Sequence, residues 1–141
     1  MVEVTLRTIQ GRLLLQPNRA TTRTIAGVIG RAQRKHNMAI HMVVAMDNHL
    51  HLLISPRDAQ QMERFMGHVV GSKVARKAGK LVGWREKLWG RRYTGIVVSE
   101  EEEAQSARLR YLLAHGAKEG FTLSSTTGPA CTLPAPSSTA R

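Results

Sequence analysis

Met46-Asp47-Asn48-His49-Leu50-His51-Leu52-Leu53-Ile54 sets one large apolar residue between two histidines and follows them with aliphatics. Read as a strand, its period of two puts His49 and His51 on one face and Leu50 and Leu52 on the other. Side chains at i and i+2 stand roughly 7 Å apart, at a rise of about 3.3 Å per residue, so two imidazoles can lean together onto one metal ion. The plainer alternative is an edge strand showing two polar side chains to water. Upstream, Ala39-Ile40-His41-Met42-Val43-Val44-Ala45-Met46 is too apolar for an edge. Asp47-Asn48 suits a tight turn, so the two segments read as an antiparallel hairpin in the middle of a sheet.

The flanking chain supplies the other elements. Val2, Val4 and Leu6 alternate with polar residues and mark a first strand. Pro17-Asn18 opens a helix with Asn18 as its cap, and Ile25, Val28, Ile29 and Ala32 form one apolar stripe that ends near Asn37. Asp58 and Gln61 have capping-box spacing, and Met62, Phe65, Met66, Val69 and Val74 follow at helical intervals. Thr94-Gly95-Ile96-Val97-Val98 reads as a further strand. Ser99 then caps a last helix whose run of glutamates, Glu100 to Glu103, complements the positive end of the helix dipole and needs no catalytic meaning. That helix is expected to stop at Gly116. Ser124 to Arg141 is rich in Ser, Thr, Ala and Pro, with little apolar content, and reads as disordered.

With 141 residues the chain suits one compact domain, here taken as residues 1–121 with a tail over 122–141. No apolar run is long enough to span a bilayer, and no long helix sets a basic face against a Trp/Phe/Leu face, so membrane association is not expected. The N-terminus lacks the pattern of a secretory signal, and the single cysteine, Cys131, can form no internal disulfide. Both agree with a cytoplasmic location. The net charge is +11 and unevenly placed: residues 1–94 carry 17 Lys and Arg against 5 Asp and Glu. Such a block on a small domain is the footprint of a polyanion binder. Arg64, Lys73, Arg76, Lys77 and Lys80 cluster on and after the second helix. Trp84, Arg91 and Arg92 follow in a loop that interleaves rings with cations, a pattern that can stack bases and hold phosphates. The bland reading of the rings is that they cover the core, and for Trp89 the two readings stand level.

The histidine nonamer resembles the Met-Pro-Asn-His-x-His-Leu-Leu signature of the single-tyrosine HUH transposases, especially the REP-associated tyrosine transposases. Asp47 stands where the proline is usual. Trp89-Gly90-Arg91-Arg92-Tyr93 is similar to the family's element before its last strand. Leu109 to Phe121 resembles its nucleophile helix, in which the tyrosine is followed four residues later by a polar residue. The resemblance spans about residues 2–121. It implies an α+β, ferredoxin-like antiparallel sheet with helices packed on one side and the HUH pair on a central strand. It also implies a metal-dependent transposase that cleaves and rejoins single-stranded DNA through a 5′-phosphotyrosine. Tyr111 would be the nucleophile, and His49, His51 and His115 would hold a divalent cation, Mg²⁺ or Mn²⁺. Arg64, Lys73, Arg76, Lys77, Lys80, Trp84, Arg91 and Arg92 would then be DNA contacts, with single-stranded or hairpin DNA as partner and room for a homodimer. Relatives usually continue after the last helix with a Trp-Pro or Trp-Ser element that this chain lacks. That absence keeps open a decayed module that binds hairpins without cutting. Three imidazoles also keep open a zinc hydrolase.

Overall fold

The computed structural model describes residues 1–124, with the backbone alone at 68–70 and 117–124. Five strands form one antiparallel sheet in the order β4-β1-β3-β2-β5. They are β1 (Val2–Arg7), β2 (Ala39–Met46), β3 (His49–Ser55), β4 (Thr94–Val97) and β5 (Gly120–Ser124). Helix α1 (Arg19–His36) joins β1 to β2. Helix α2 (Ala59–Arg64), a π-helical segment over Phe65–Val74 and α3 (Ala75–Leu81) lie between β3 and β4, and α4 (Glu102–Glu119) precedes β5. The first four strands give the β-α-β-β-α-β plan of a ferredoxin-like fold. The histidine strand, β3, is the middle one of five.

The alternation seen in the sequence becomes two cores. Val4, Leu6, Val43, Ala45, Leu50, Leu52 and Ile54 pack beneath α1 and the α2–α3 stretch, with Ile25, Val28, Ile29, Phe65, Met66 and Val74. On the other face, Met42, Val44, Met46 and Leu53 meet Val98 and Leu112. Leu112 belongs to α4, so the closing helix lies on the face opposite the other helices, and the sheet is covered on both sides where helices on one side were expected. His49 and His51 share the phase of Leu53 and therefore face α4.

The caps are as the sequence implies at two helices. Asn18 accepts from the Thr21 amide at 2.9 Å, and α1 ends where Asn37 turns left-handed at φ 50°. Asp58 accepts from the Gln61 amide at 2.7 Å. Gln61, buried, returns the contact from Oε1 to the Arg57 amide and donates through Nε2 to the carbonyls of His36 and Asn37. One amide thus ties the start of α2 to the end of α1. Two boundaries differ from the sequence reading. Ser99 Oγ accepts from the Glu101 amide at 3.3 Å, but α4 begins only at Glu102. The helix also runs past Gly116 to Glu119 and leads straight into β5, which pairs with β2. Residues 122–124, assigned above to the tail, lie in that strand, and the remainder of the tail lies outside the described residues.

Because Gln61 satisfies three backbone groups from a buried position, Gln61→Ala should lower stability by about 1–3 kcal/mol. The exposed neighbour change Gln60→Ala should stay within about 0.5 kcal/mol. Chemical denaturation of the two variants checks the contrast.

Candidate functional site

The hairpin that carries the histidines is pinned at its turn. The Asn48 carbonyl accepts from the Thr8 amide at 2.9 Å, and the Asp47 carbonyl accepts from the Leu15 amide at 2.8 Å. Asn48 Nδ2 donates weakly to the Gly11 carbonyl at 3.4 Å, leaving Oδ1 directed at the His49 ring. His49 Nδ1 lies 2.7 Å from that oxygen. An amide oxygen only accepts, so Nδ1 carries the hydrogen and Nε2 the lone pair of the neutral ring.

His51 is set in the same way by different neighbours. Its Nδ1 lies 3.2 Å from Glu3 Oε1 and 3.1 Å from Thr5 Oγ1. Thr5 is its direct partner across the β1–β3 ladder, as Arg7 is of His49. The carboxylate accepts, so here too Nδ1 is the protonated nitrogen. The two rings stand edge to face with centroids 4.8 Å apart. Glu3 is 3% exposed, and its second oxygen accepts from Arg108 Nε on α4. The sequence analysis did not single out Glu3, whose available signal was its place two residues before Thr5, on the same face of the first strand.

On α4, Tyr111 and His115 are one turn apart and in contact. The Tyr111 hydroxyl lies 3.1 Å from His115 Nε2, with the rings edge to face at 4.9 Å. The Arg108 guanidinium sits 5.2 Å from the Tyr111 ring centre. The strand that carries His49 and His51 and the helix that carries Tyr111 and His115 thus meet on one face of the sheet. Among the described residues no three His, Cys, Asp or Glu side chains are grouped to hold a metal ion. His115 Nε2 is turned to the phenol instead. Two imidazoles, each anchored through Nδ1, fit part of a divalent-cation site.

The basic residues lie elsewhere. Arg76, Lys80, Trp84, Arg85, Lys87 and Trp89 are among the walls of a cleft of about 680 Å³. A second cleft of about 420 Å³ shares Gly71, Lys87 and Trp89 with it and adds Arg91, Arg92 and Tyr93. Leu6, Met66, Leu88 and Trp89 line these clefts and belong to the helix-side core, away from the histidines. Trp89 is 6% exposed and is a core residue. Trp84 is half-buried beneath the Arg12 guanidinium, 4.8 Å from its ring centre. The close approach that seats Trp84 favours a glycine, since a Cβ at Gly79 would stand 3.0 Å from the Trp84 carbonyl oxygen and the backbone there would have to shift. Arg64 and Lys77 are exposed and Lys73 is half-buried, and none of the three lines either cleft. His41 bonds through Nε2 to Ser55 Oγ at 2.7 Å, beside a bulge in β2.

Burial holds the His51 imidazole below its ordinary value. Glu3 opposes this by its charge and hydrogen bond, while His115 and Arg7 push it further down. His41 is lowered too, by burial and by the N-terminal ammonium. A histidine with a depressed folded-state value takes up fewer protons than the unfolded chain. Stability present at neutral pH is therefore lost as the pH falls from about 6.5 toward the folded value. NMR titration of the metal-free protein should find both rings titrating below about 6.5, and thermal melts should drop across the same window. A His51 midpoint above that figure would mean that the Glu3 pairing outweighs burial.

No curated protein matches the chain. A REP-associated tyrosine transposase, solved bound to a REP hairpin, shares the fold with a TM-score of 0.55 at 12% identity. The match takes in 83% of this chain and 66% of the other, so the chain spans just under two thirds of that relative. A candidate transposase from Deinococcus radiodurans matches at a TM-score of 0.50 and 15% identity, over 78% of this chain and 87% of that one. The family model described as IS200-like transposase matches residues 5–112, a span that takes in His49, His51 and Tyr111, and the chain belongs to that family.

Proposed function

We propose that the chain is a metal-dependent transposase that cuts and rejoins single-stranded DNA, with Tyr111 as nucleophile. The observation that carries this reading is the placement of α4. Arg108, one turn before Tyr111, is bound to the same carboxylate that holds His51. Nucleophile helix and histidine strand thus converge within one chain.

His49 and His51 would hold a divalent cation through their Nε2 atoms. When bound, the cation supplies charge that offsets the phosphate oxygens and orients the scissile group. Imidazole donors favour Mn²⁺ over Mg²⁺ among the candidate ions. The Tyr111 oxygen attacks phosphorus in line, the bond from phosphorus to the 3′ oxygen breaks, and the strand is held as a 5′-phosphotyrosine. His115 Nε2, 3.1 Å from the phenol oxygen, is placed to accept its proton. The freed 3′ oxygen takes up a proton from solvent and leaves as a hydroxyl, and that group or one from another end reverses the step. For His115 to serve as a third ligand it has to release the phenol. The energy of the phosphoester is retained, so no nucleotide cofactor is required.

The exposed cations of the two clefts suit a DNA backbone, held by charge and without sequence readout. The hairpin bound by the structural relative makes hairpin DNA the first substrate to try. A second reading has one observation in its favour: no third metal donor is in place among the described residues. In that reading the protein binds hairpins and does not cut.

Incubation with labelled single-stranded hairpins and Mn²⁺, followed by denaturing electrophoresis, separates the two. The wild type should retain label covalently, and Tyr111→Phe should retain none. Binding without any adduct would leave the second reading. Replacing Arg76, Lys80 or Arg92 by Ala should weaken hairpin binding across sequences and lower the salt-dependence slope by about 1 for each lost phosphate contact.

A further inference from the structure

Glu3 is the most unusual side chain on the histidine face. A carboxylate is almost never this deeply buried unless it is paired, because desolvation costs several kcal/mol. Here each oxygen has its own partner. Oε1 lies 3.2 Å from His51 Nδ1, and Oε2 accepts from Arg108 Nε. A carboxylate kept only to neutralise Arg108 has no need to reach β3, and one kept only to orient His51 has no need of a guanidinium from α4. The two contacts join the elements that carry the two halves of the proposed chemistry. Glu3 also lies outside residues 5–112, the span matched by the family model.

Resting on the cation and nucleophile roles proposed above, we infer that Glu3 is a positioning residue that serves both halves of the site. Through Oε1 it fixes the His51 tautomer, so that Nε2 carries the lone pair a cation would take. Through Oε2 and Arg108 it docks the tyrosine helix across the same face, with the guanidinium lying against the Tyr111 ring. A carboxylate behind a ligating imidazole raises its basicity and fixes its ring, and losing such a partner costs 10- to 100-fold in metal affinity. The Arg108 contact acts on the tyrosine helix and leaves the cation's own donors untouched.

Three proteins test this: wild type, Glu3→Gln and Arg108→Gln, each checked for folding by circular dichroism and thermal melting. Mn²⁺ affinity is measured by calorimetry, and adduct formation is timed in single turnover at saturating Mn²⁺. Glu3→Gln should weaken Mn²⁺ binding about 10- to 100-fold. Arg108→Gln should slow adduct formation about tenfold or more while shifting Mn²⁺ affinity less than about threefold, because it leaves the cation's donors in place. A Glu whose role is only structural would lower both melting temperatures without this split. Equal Mn²⁺ affinity in folded Glu3→Gln and wild type overturns the proposal. If Glu3→Gln does not fold, Glu3→Asp, one methylene shorter with the charge kept, takes its place in the same comparison. If the wild type binds no Mn²⁺, the cation reading has failed, and ¹⁵N NMR of the metal-free ring then decides the Glu3 contact by itself. Nδ1 protonation in the wild type with mixed tautomers in the variant supports it, and identical spectra overturn it.

Discussion

The two-sidedness of β3 is the constraint on which the rest depends. Leu50, Leu52 and Ile54 are fully buried in one core, and Leu53 is fully buried in the other. A slip of one residue in its pairing would exchange the faces and drive His49 and His51 into the helix-side core. The register is held from both neighbours, with Val4 opposite Leu52 on β1 and Val43 opposite Leu52 on β2. Packing that stabilises the domain and packing that aims the imidazoles are therefore the same packing. The pinned turn at Asp47-Asn48 adds a local lock, and its Asn48 side chain also orients the first histidine.

Much of this was legible in the sequence because it rests on short-range rules. Period two located β1 and the faces of β3, and a continuous apolar run located β2. The Asn18 and Asp58 caps follow from side chains that can accept an amide hydrogen three residues on. The stripe from Ile25 to Ala32 is buried as its spacing implies. The central place of the histidine strand agrees with the family resemblance. What sequence reading missed depends on long-range contacts. Glu3 looks solvent-facing until α4 is laid over it. β5 is composed of Gly, Phe, Thr, Leu and Ser and merges by composition with the tail that follows, so only its pairing with β2 reveals it.

The face occupied by α4 was not readable either. Leu109 and Leu112 give the helix a narrow apolar contact with the second core, while Leu113 remains 44% exposed and Tyr111 51% exposed. A stripe so thin does not say which side of a sheet it will cover. The Arg108 ion pair supplies the missing specification, because among the described residues only one face of the sheet carries a buried acid. A charge network here decides orientation where apolar area is too small to do so.

The sheet itself separates the basic clefts from the histidine pair. On the function proposed above, a backbone gripped in the clefts would have to travel around the rim of the sheet before any phosphate came within reach of the phenol. On the same reading that geometry would set a minimum length for a productive strand: an oligomer trimmed to the gripped portion alone would be held and never touched. Distance along the nucleic acid, counted from the anchored part, would then select the scissile bond in the manner of a ruler.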